Sequence, residues 1–142
     1  MDIHPISSLS MKQEAETASL YRRLGGLYPI ARVVDEFIDR LVANETLNTN
    51  PAVVAARDPA TRAGLKFHVT AFVAAAAGGP QAYTGRSMKE THAHLDISGR
   101  EWEAMLAELR SVLYKFNVPD GEQDEIVSMV EELRRDIVTR TL

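Results

Sequence analysis

No cysteine occurs among the 142 residues. That excludes disulfides, thiolate nucleophiles, iron–sulfur clusters and cysteine-bound zinc together. A basic surplus is missing as well. Sixteen Lys and Arg stand against twenty Asp and Glu, for a net charge of −4, and no basic cluster reverses the balance, so nucleic acid is not an expected partner. Long apolar runs are absent: the longest, Val69 to Ala77 with Thr70 inside it, falls far short of the roughly 20 residues of a membrane span. The opening Met-Asp-Ile-His-Pro shows no basic start followed by an apolar segment, so a cytoplasmic location without membrane attachment is expected. No segment alternates with period two long enough to make a strand, and apart from a run of alanines there is no repeat or low-complexity tract. The expectation is an all-α chain of one domain, long enough to bury a core.

Residues 1–16 are rich in Ser, Gln and Glu and poor in bulky apolar side chains, which predicts a loose extension or frayed helix ahead of a domain over 17–142. A short helix is expected at Ser19–Leu24, stopped by Gly25-Gly26. Ile30, Val33, Val34, Phe37, Ile38 and Leu41 then recur at three- and four-residue steps, the spacing of one helix face. Asn44 to Pro59 breaks the pattern, with at most a turn of helix at Ala52–Ala56. A second helix is expected from about Ala60 to Ala77, with Leu65, His68, Val69, Phe72, Val73 and Ala76 as its stripe and Gly78-Gly79-Pro80 as its stop. Gln81 to Arg86 reads as a loop. Ser87 can cap a short helix bearing Met88, His92 and Leu95. Ser98 with Glu101 makes a capping box for a helix whose stripe is Trp102, Met105, Leu106, Leu109, Val112, Leu113 and Phe116. Val118 to Gly121 turns the chain into a last helix presenting Ile126, Met129, Val130, Leu133 and Ile137.

Two of only four histidines, His68 and His92, interrupt apolar stripes. A lone histidine on such a face is more often a hydrogen-bonded core residue than a ligand. His92 and His94 are two apart, so on a helix they diverge and make no shared zinc site. Neither inward stripe carries a carboxylate, which disfavours a hydrolytic zinc or di-iron centre. A flat apolar group gripped between two imidazoles suits the pattern better, and haem is such a group. Phe37, Ile38, Leu65, Val69 and Phe72 would form one wall, and Met88, Leu95, Ile97 and Trp102 the other.

Four stretches, in order, sharpen this: Ser19-Leu20-Tyr21-Arg22-Arg23-Leu24-Gly25-Gly26, then Val34-Asp35-Glu36-Phe37, then Gly78-Gly79-Pro80 with Tyr83-Thr84-Gly85, then Met88-Lys89-Glu90-Thr91-His92. From about Ser19 to Ile137 the chain resembles the group I truncated haemoglobins. The resemblance implies a two-over-two helical sandwich around haem b, with His92 as the proximal iron ligand and Tyr83 among the residues at the cofactor. His68 lies 24 residues before His92, the spacing at which hexacoordinate members carry a distal histidine, so the resemblance implies a bis-histidyl iron; the competing reading turns His68 to a propionate or to solvent. Members in which haem is bonded covalently use a histidine in the last helix, and this chain has none there. It also departs from the family on the distal side. Ile38 and Val69 stand where many members have tyrosine and glutamine, and the segment from Leu47 to Pro59 is longer and lacks the usual phenylalanine pair. Lys66, Arg86 and Lys89 are candidates for the propionates, or else solvated surface charges. Glu131-Glu132 and Arg134-Arg135 read as a solvated face, and Trp102 as a packing residue lining the haem.

These residues leave four functions open. One is a redox protein, for electron transfer with a reductase or other redox partner, or for reduction of small nitrogen oxides. A second is a binder or haem-based sensor of diatomic gases, oxygen, carbon monoxide and nitric oxide. A third is nitric oxide dioxygenation, and a fourth is a haem-free interaction domain, against which His92 on its apolar stripe argues. A monomer or weak homodimer is expected.

Overall fold

The computed structural model describes residues 18–140, so the expected extension over 1–16 lies outside the described residues. The Ser19 side chain accepts from the Arg22 N–H and opens α1 (Leu20–Arg23). Gly25 and Gly26, at φ +97° and +93°, end it in a conformation that L side chains avoid. The chain then enters α2 (Leu27–Ala43), which buries Ile30, Val34 and Ile38.

The stretch after α2 is more ordered than its broken pattern suggests, and the turn of helix expected near Ala52–Ala56 is present. It forms α3 (Glu45–Asn48) and α4 (Pro51–Ala55), separated by Thr49 and Asn50. The asparagines that read as breakers act as caps: Asn44 accepts from the Leu47 N–H, and Asn50 from those of Ala52 and Val53. Pro51 adds the preset φ that suits a first helical turn. A 3₁₀ turn (Pro59–Thr61) leads into α5 (Arg62–Ala76). Beyond α5 the chain passes close to α1. The Tyr21 N–H donates to the Ala77 carbonyl at 2.9 Å, and a Cβ at Gly79 would stand 2.5 Å from the Tyr21 ring.

Ser87, accepting from the Glu90 N–H, opens α6 (Met88–His92), which tightens into a 3₁₀ turn (Ala93–Leu95). Then come β1 (Ile97–Ser98), α7 (Gly99–Lys115), α8 (Asp120–Glu131), α9 (Arg134–Ile137) and β2 (Val138–Arg140). Both halves of the Ser98–Glu101 capping box are present. The chain is therefore not purely helical: β1 and β2 pair in parallel, Ile97 with Val138 and Ser98 with Arg140. Strands of two and three residues show no alternation for a sequence pattern to detect. The single last helix expected from sequence is likewise broken, into α8 and α9.

α2 packs on α5 and on α7, and α7 on α8, the expected two-over-two arrangement. Ile30, Val34, Ile38 and Ala74 form one core, and Ile97, Trp102, Leu106, Leu109, Leu113, Ile126 and Ile137 the other, with Leu24 and Phe37 touching both. The α5 stripe divides between two tasks. Ala74, fully buried, lets α2 approach closely, whereas Ala76, expected inward, is exposed. Leu65, His68, Val69 and Phe72 face a cavity instead.

Candidate functional site

Between the two cores lies a cavity of ≈910 Å³, in the upper part of the ~300–1,000 Å³ range of small-molecule and cofactor sites. Its walls include Phe37, Ile38, Leu65, His68, Val69, Phe72, Tyr83, Met88, His92, Ile97 and Trp102. α2 and α5 supply the first five of these and Phe72, and the segment from α6 to α7 supplies the last four. Two candidates stand apart. Lys66 does not line the cavity; its Nζ lies 2.8 Å from Asp35 and 2.9 Å from Asp39, and these carboxylates raise its pKa through hydrogen bonds. The cation joins α5 to α2, through partners 27 and 31 residues away that periodicity does not reveal. Lys89 is exposed and also off the cavity wall. The cations that line the cavity are Arg23, Arg32, Arg57, Arg62 and Arg86; Arg23 is paired with Glu122 and Glu125, and Arg32 lies over the Phe116 ring. Arg57 follows the Ala52–Ala56 patch, in a segment whose sequence pattern points to no ligand contact.

His92 on the cavity wall is held by hydrogen bonds within its own helix. Its Nδ1 lies 2.8 Å from the Met88 carbonyl. A carbonyl only accepts, so Nδ1 carries the hydrogen and Nε2 holds the lone pair, the tautomer that ligates a metal through Nε2. The Thr91 hydroxyl, 3.0 Å from the same Nδ1, can then only be a second acceptor. Its own hydrogen points to the carbonyl of Ser87 or Met88, at 3.1 and 3.2 Å. Burial pushes the His92 imidazole below the usual histidine range, and His94 adds to this, while the Met88 hydrogen bond works the other way. The ring is thus held neutral near pH 7, as ligation requires.

The segment bearing His92 is anchored from behind. Asn50 Nδ2 donates to the Leu95 carbonyl at 2.9 Å and to Glu101 at 3.2 Å. Glu101, 4% exposed, also accepts from the Ser98 N–H and from Arg140 Nη2, at 2.8 and 3.0 Å. Arg140 and Thr139 in turn hold Asp96, a left-handed residue at φ 53°. Arg140→Met is expected to cost about 1–3 kcal/mol, because it takes the guanidinium from a buried carboxylate. Denaturant midpoints check this; a loss under about 0.5 kcal/mol would place Arg140 among ordinary surface pairs.

Polar groups able to donate into the cavity from its α2 and α5 side are few. Ile38, Leu65 and Val69 have no donor. The Tyr83 hydroxyl is already committed to the Arg86 carbonyl at 2.8 Å, with its ring edge-on to Phe72. His68 is the imidazole that α5 contributes, exposed, with its ring 5.6 Å from that of Phe67.

Comparison with known proteins places this geometry. The family described as bacterial-like globin matches residues 19–139. A group 1 truncated hemoglobin, GlbN, of Mycolicibacterium paratuberculosis is 32% identical over 136 residues, 92% of either chain. The GlbN of Synechocystis sp. is 28% identical over 116 residues, 79% of this chain and 89% of its own. Among solved structures, the 2/2 hemoglobin of Synechococcus sp., in the cyanomet state with covalently attached heme, is 29% identical. Its TM-score is 0.74, over 87% of this chain and all of that one. A truncated hemoglobin variant from Tetrahymena pyriformis shares the fold at a TM-score of 0.75 and 23% identity, over 86% of this chain and 99% of that one.

Proposed function

The chain belongs to the group 1 truncated haemoglobins, and from that premise we propose that its cavity holds one haem b on His92 and takes diatomic ligands such as oxygen, carbon monoxide and nitric oxide. The observation that carries the reading is the hydrogen bond from His92 Nδ1 to the Met88 carbonyl. It leaves a neutral imidazole with Nε2 as its ligating nitrogen on the wall of a large apolar cavity. The other walls fit the same group. Phe37, Ile38, Val69, Phe72, Met88, Ile97 and Trp102 give a flat macrocycle apolar contact, and Arg32, Arg57, Arg62 and Arg86 are cations that could meet its two carboxylates. When bound, haem would supply an iron able to take a small ligand.

His68 is the sixth ligand in this proposal. It lines the cavity from α5, 24 residues before His92, whereas the cavity's third imidazole, His94, sits on the His92 segment. Two imidazoles suit either iron valence with little rearrangement, which favours one-electron redox work, and the lack of donors at Ile38, Leu65 and Val69 weighs against nitric oxide dioxygenation. His68→Leu is expected to turn the ligand-free ferrous spectrum from low-spin to high-spin. It should also speed carbon monoxide association about tenfold if His68 holds the sixth position about 90% of the time. Stopped-flow mixing of the wild type and the variant reads both effects. A wild type already five-coordinate as the ferrous form would instead assign His68 to a propionate or to solvent.

A further inference from the structure

Trp102 packs in the core as expected, but Glu131, read from sequence as solvated face, is half-buried and bonded to it. Trp102, 2% exposed, lines the same cavity as His92, and its Nε1–H donates to Glu131 Oε1 at 3.0 Å. A buried indole needs some acceptor, and a carbonyl would suffice. Here the acceptor is a carboxylate, the common side chain best suited to take that proton. Glu131 makes no ion pair among the described residues, since its neighbour Arg134 pairs with Glu103. Beyond it opens a surface groove of ≈510 Å³, lined by Glu131, Glu132, Arg134, Arg135 and Val138. One hydrogen bond therefore joins the wall of the cavity to the rim of a groove.

We propose that Trp102 and Glu131 form an electron and proton relay between the haem cavity and the surface at Glu131, supporting the peroxide-driven oxidation of small reductants in solution. The proposal rests on the haem reading above. In each pass Trp102 gives one electron toward the haem and its Nε1 proton to Glu131, leaving a neutral indolyl radical. The reductant, written DH, then supplies an electron to the indole while Glu131 returns the proton, and the proton of DH goes to form water. Two passes consume one hydrogen peroxide: H2O2 + 2 DH gives 2 H2O + 2 D•. Tyr83 is the other oxidisable ring on the cavity wall, but its hydroxyl donates to a backbone carbonyl, which is no base. The hydrogen-bond partners therefore favour the indole.

The test uses the ferric holoprotein, its haem content first read from the Soret band, treated with hydrogen peroxide and guaiacol. Rapid-freeze electron paramagnetic resonance identifies the radical, and peptide mass spectrometry without guaiacol locates the oxidised residue. Wild type is expected to show an indolyl radical and oxidation at Trp102. Trp102→Phe and Glu131→Gln should each lower guaiacol turnover per bound haem by about tenfold or more, the lower range of what a positioned proton acceptor contributes. Glu131→Gln leaves the core intact, so it reads the relay even if Trp102→Phe loosens the fold. Unchanged turnover in both variants, oxidation confined to Tyr83, or no consumption of peroxide overturns the relay while leaving the haem reading standing. A failure to take up haem overturns both.

Discussion

His92→Ala is expected to weaken haem binding at least about 100-fold, more than second-shell changes at metal sites cost, and to leave any remaining haem exchangeable. The argument is local. α6 is a single five-residue helix with no fully buried side chain, so it contributes little to the core and much to the placement of one ring. Replacing that ring by a methyl group removes the nitrogen on iron but leaves Ser87, Thr91 and the Asn50–Glu101–Arg140 anchor in place. Folding should therefore survive while haem affinity collapses. Haem transfer to a scavenging apoglobin measures the loss. A variant that keeps haem as tightly as wild type, with an unchanged Soret band, would show that His92 is not the ligand.

Restoring donors to the α2 and α5 side should have the next largest effect. Oxygen as a haem ligand is polarised and gains from a hydrogen bond, whereas carbon monoxide gains far less. Ile38, Leu65 and Val69 offer none, and Tyr83 has spent its hydroxyl on Arg86. In a His68→Leu background, Ile38→Tyr with Val69→Gln is expected to slow oxygen dissociation about tenfold or more, which corresponds to about 1.4 kcal/mol for a charge-assisted bond. Ile38 is 5% exposed and packs with Ile30, Val34 and Ala74, so a larger ring must extend into the cavity; any overpacking shows as a cost of about 1–3 kcal/mol in stability. Stopped-flow dissociation reads the effect. Slow oxygen release already in the His68→Leu background would mean that another donor reaches the ligand.

Local chemistry was legible in the sequence, and pairings across the chain were not. Ser87, Ser98 with Glu101, and the double glycines announce helix ends through capping and backbone conformation, which depend on neighbours within a few residues. The stripe through Met88, His92 and Leu95 likewise placed His92 on an inner face. Asn44 and Asn50 misled because the side-chain carbonyl that disrupts a helix interior is the same group that caps a helix start. Ala74 and Ala76 are indistinguishable by type, and only the approach of α2 decides which is buried. Lys66 found Asp35 and Asp39, Glu131 found Trp102, and β1 found β2 through tertiary packing that no periodicity encodes. Among the site residues the apolar walls and both histidines were visible as patterns. Of the cations lining the cavity, Arg86 was a candidate from sequence, whereas Arg57 and Arg62 became visible only once the chain between α2 and α5 was traced.

The most direct measurement of the central claim is a haem titration of the apoprotein followed by absorption, first ferric and then reduced without added ligand. The account predicts saturation at one haem per chain, with the low-spin bands of two imidazoles on iron in both states. Uptake that never saturates at one equivalent, or a saturated spectrum without imidazole ligation, would contradict it.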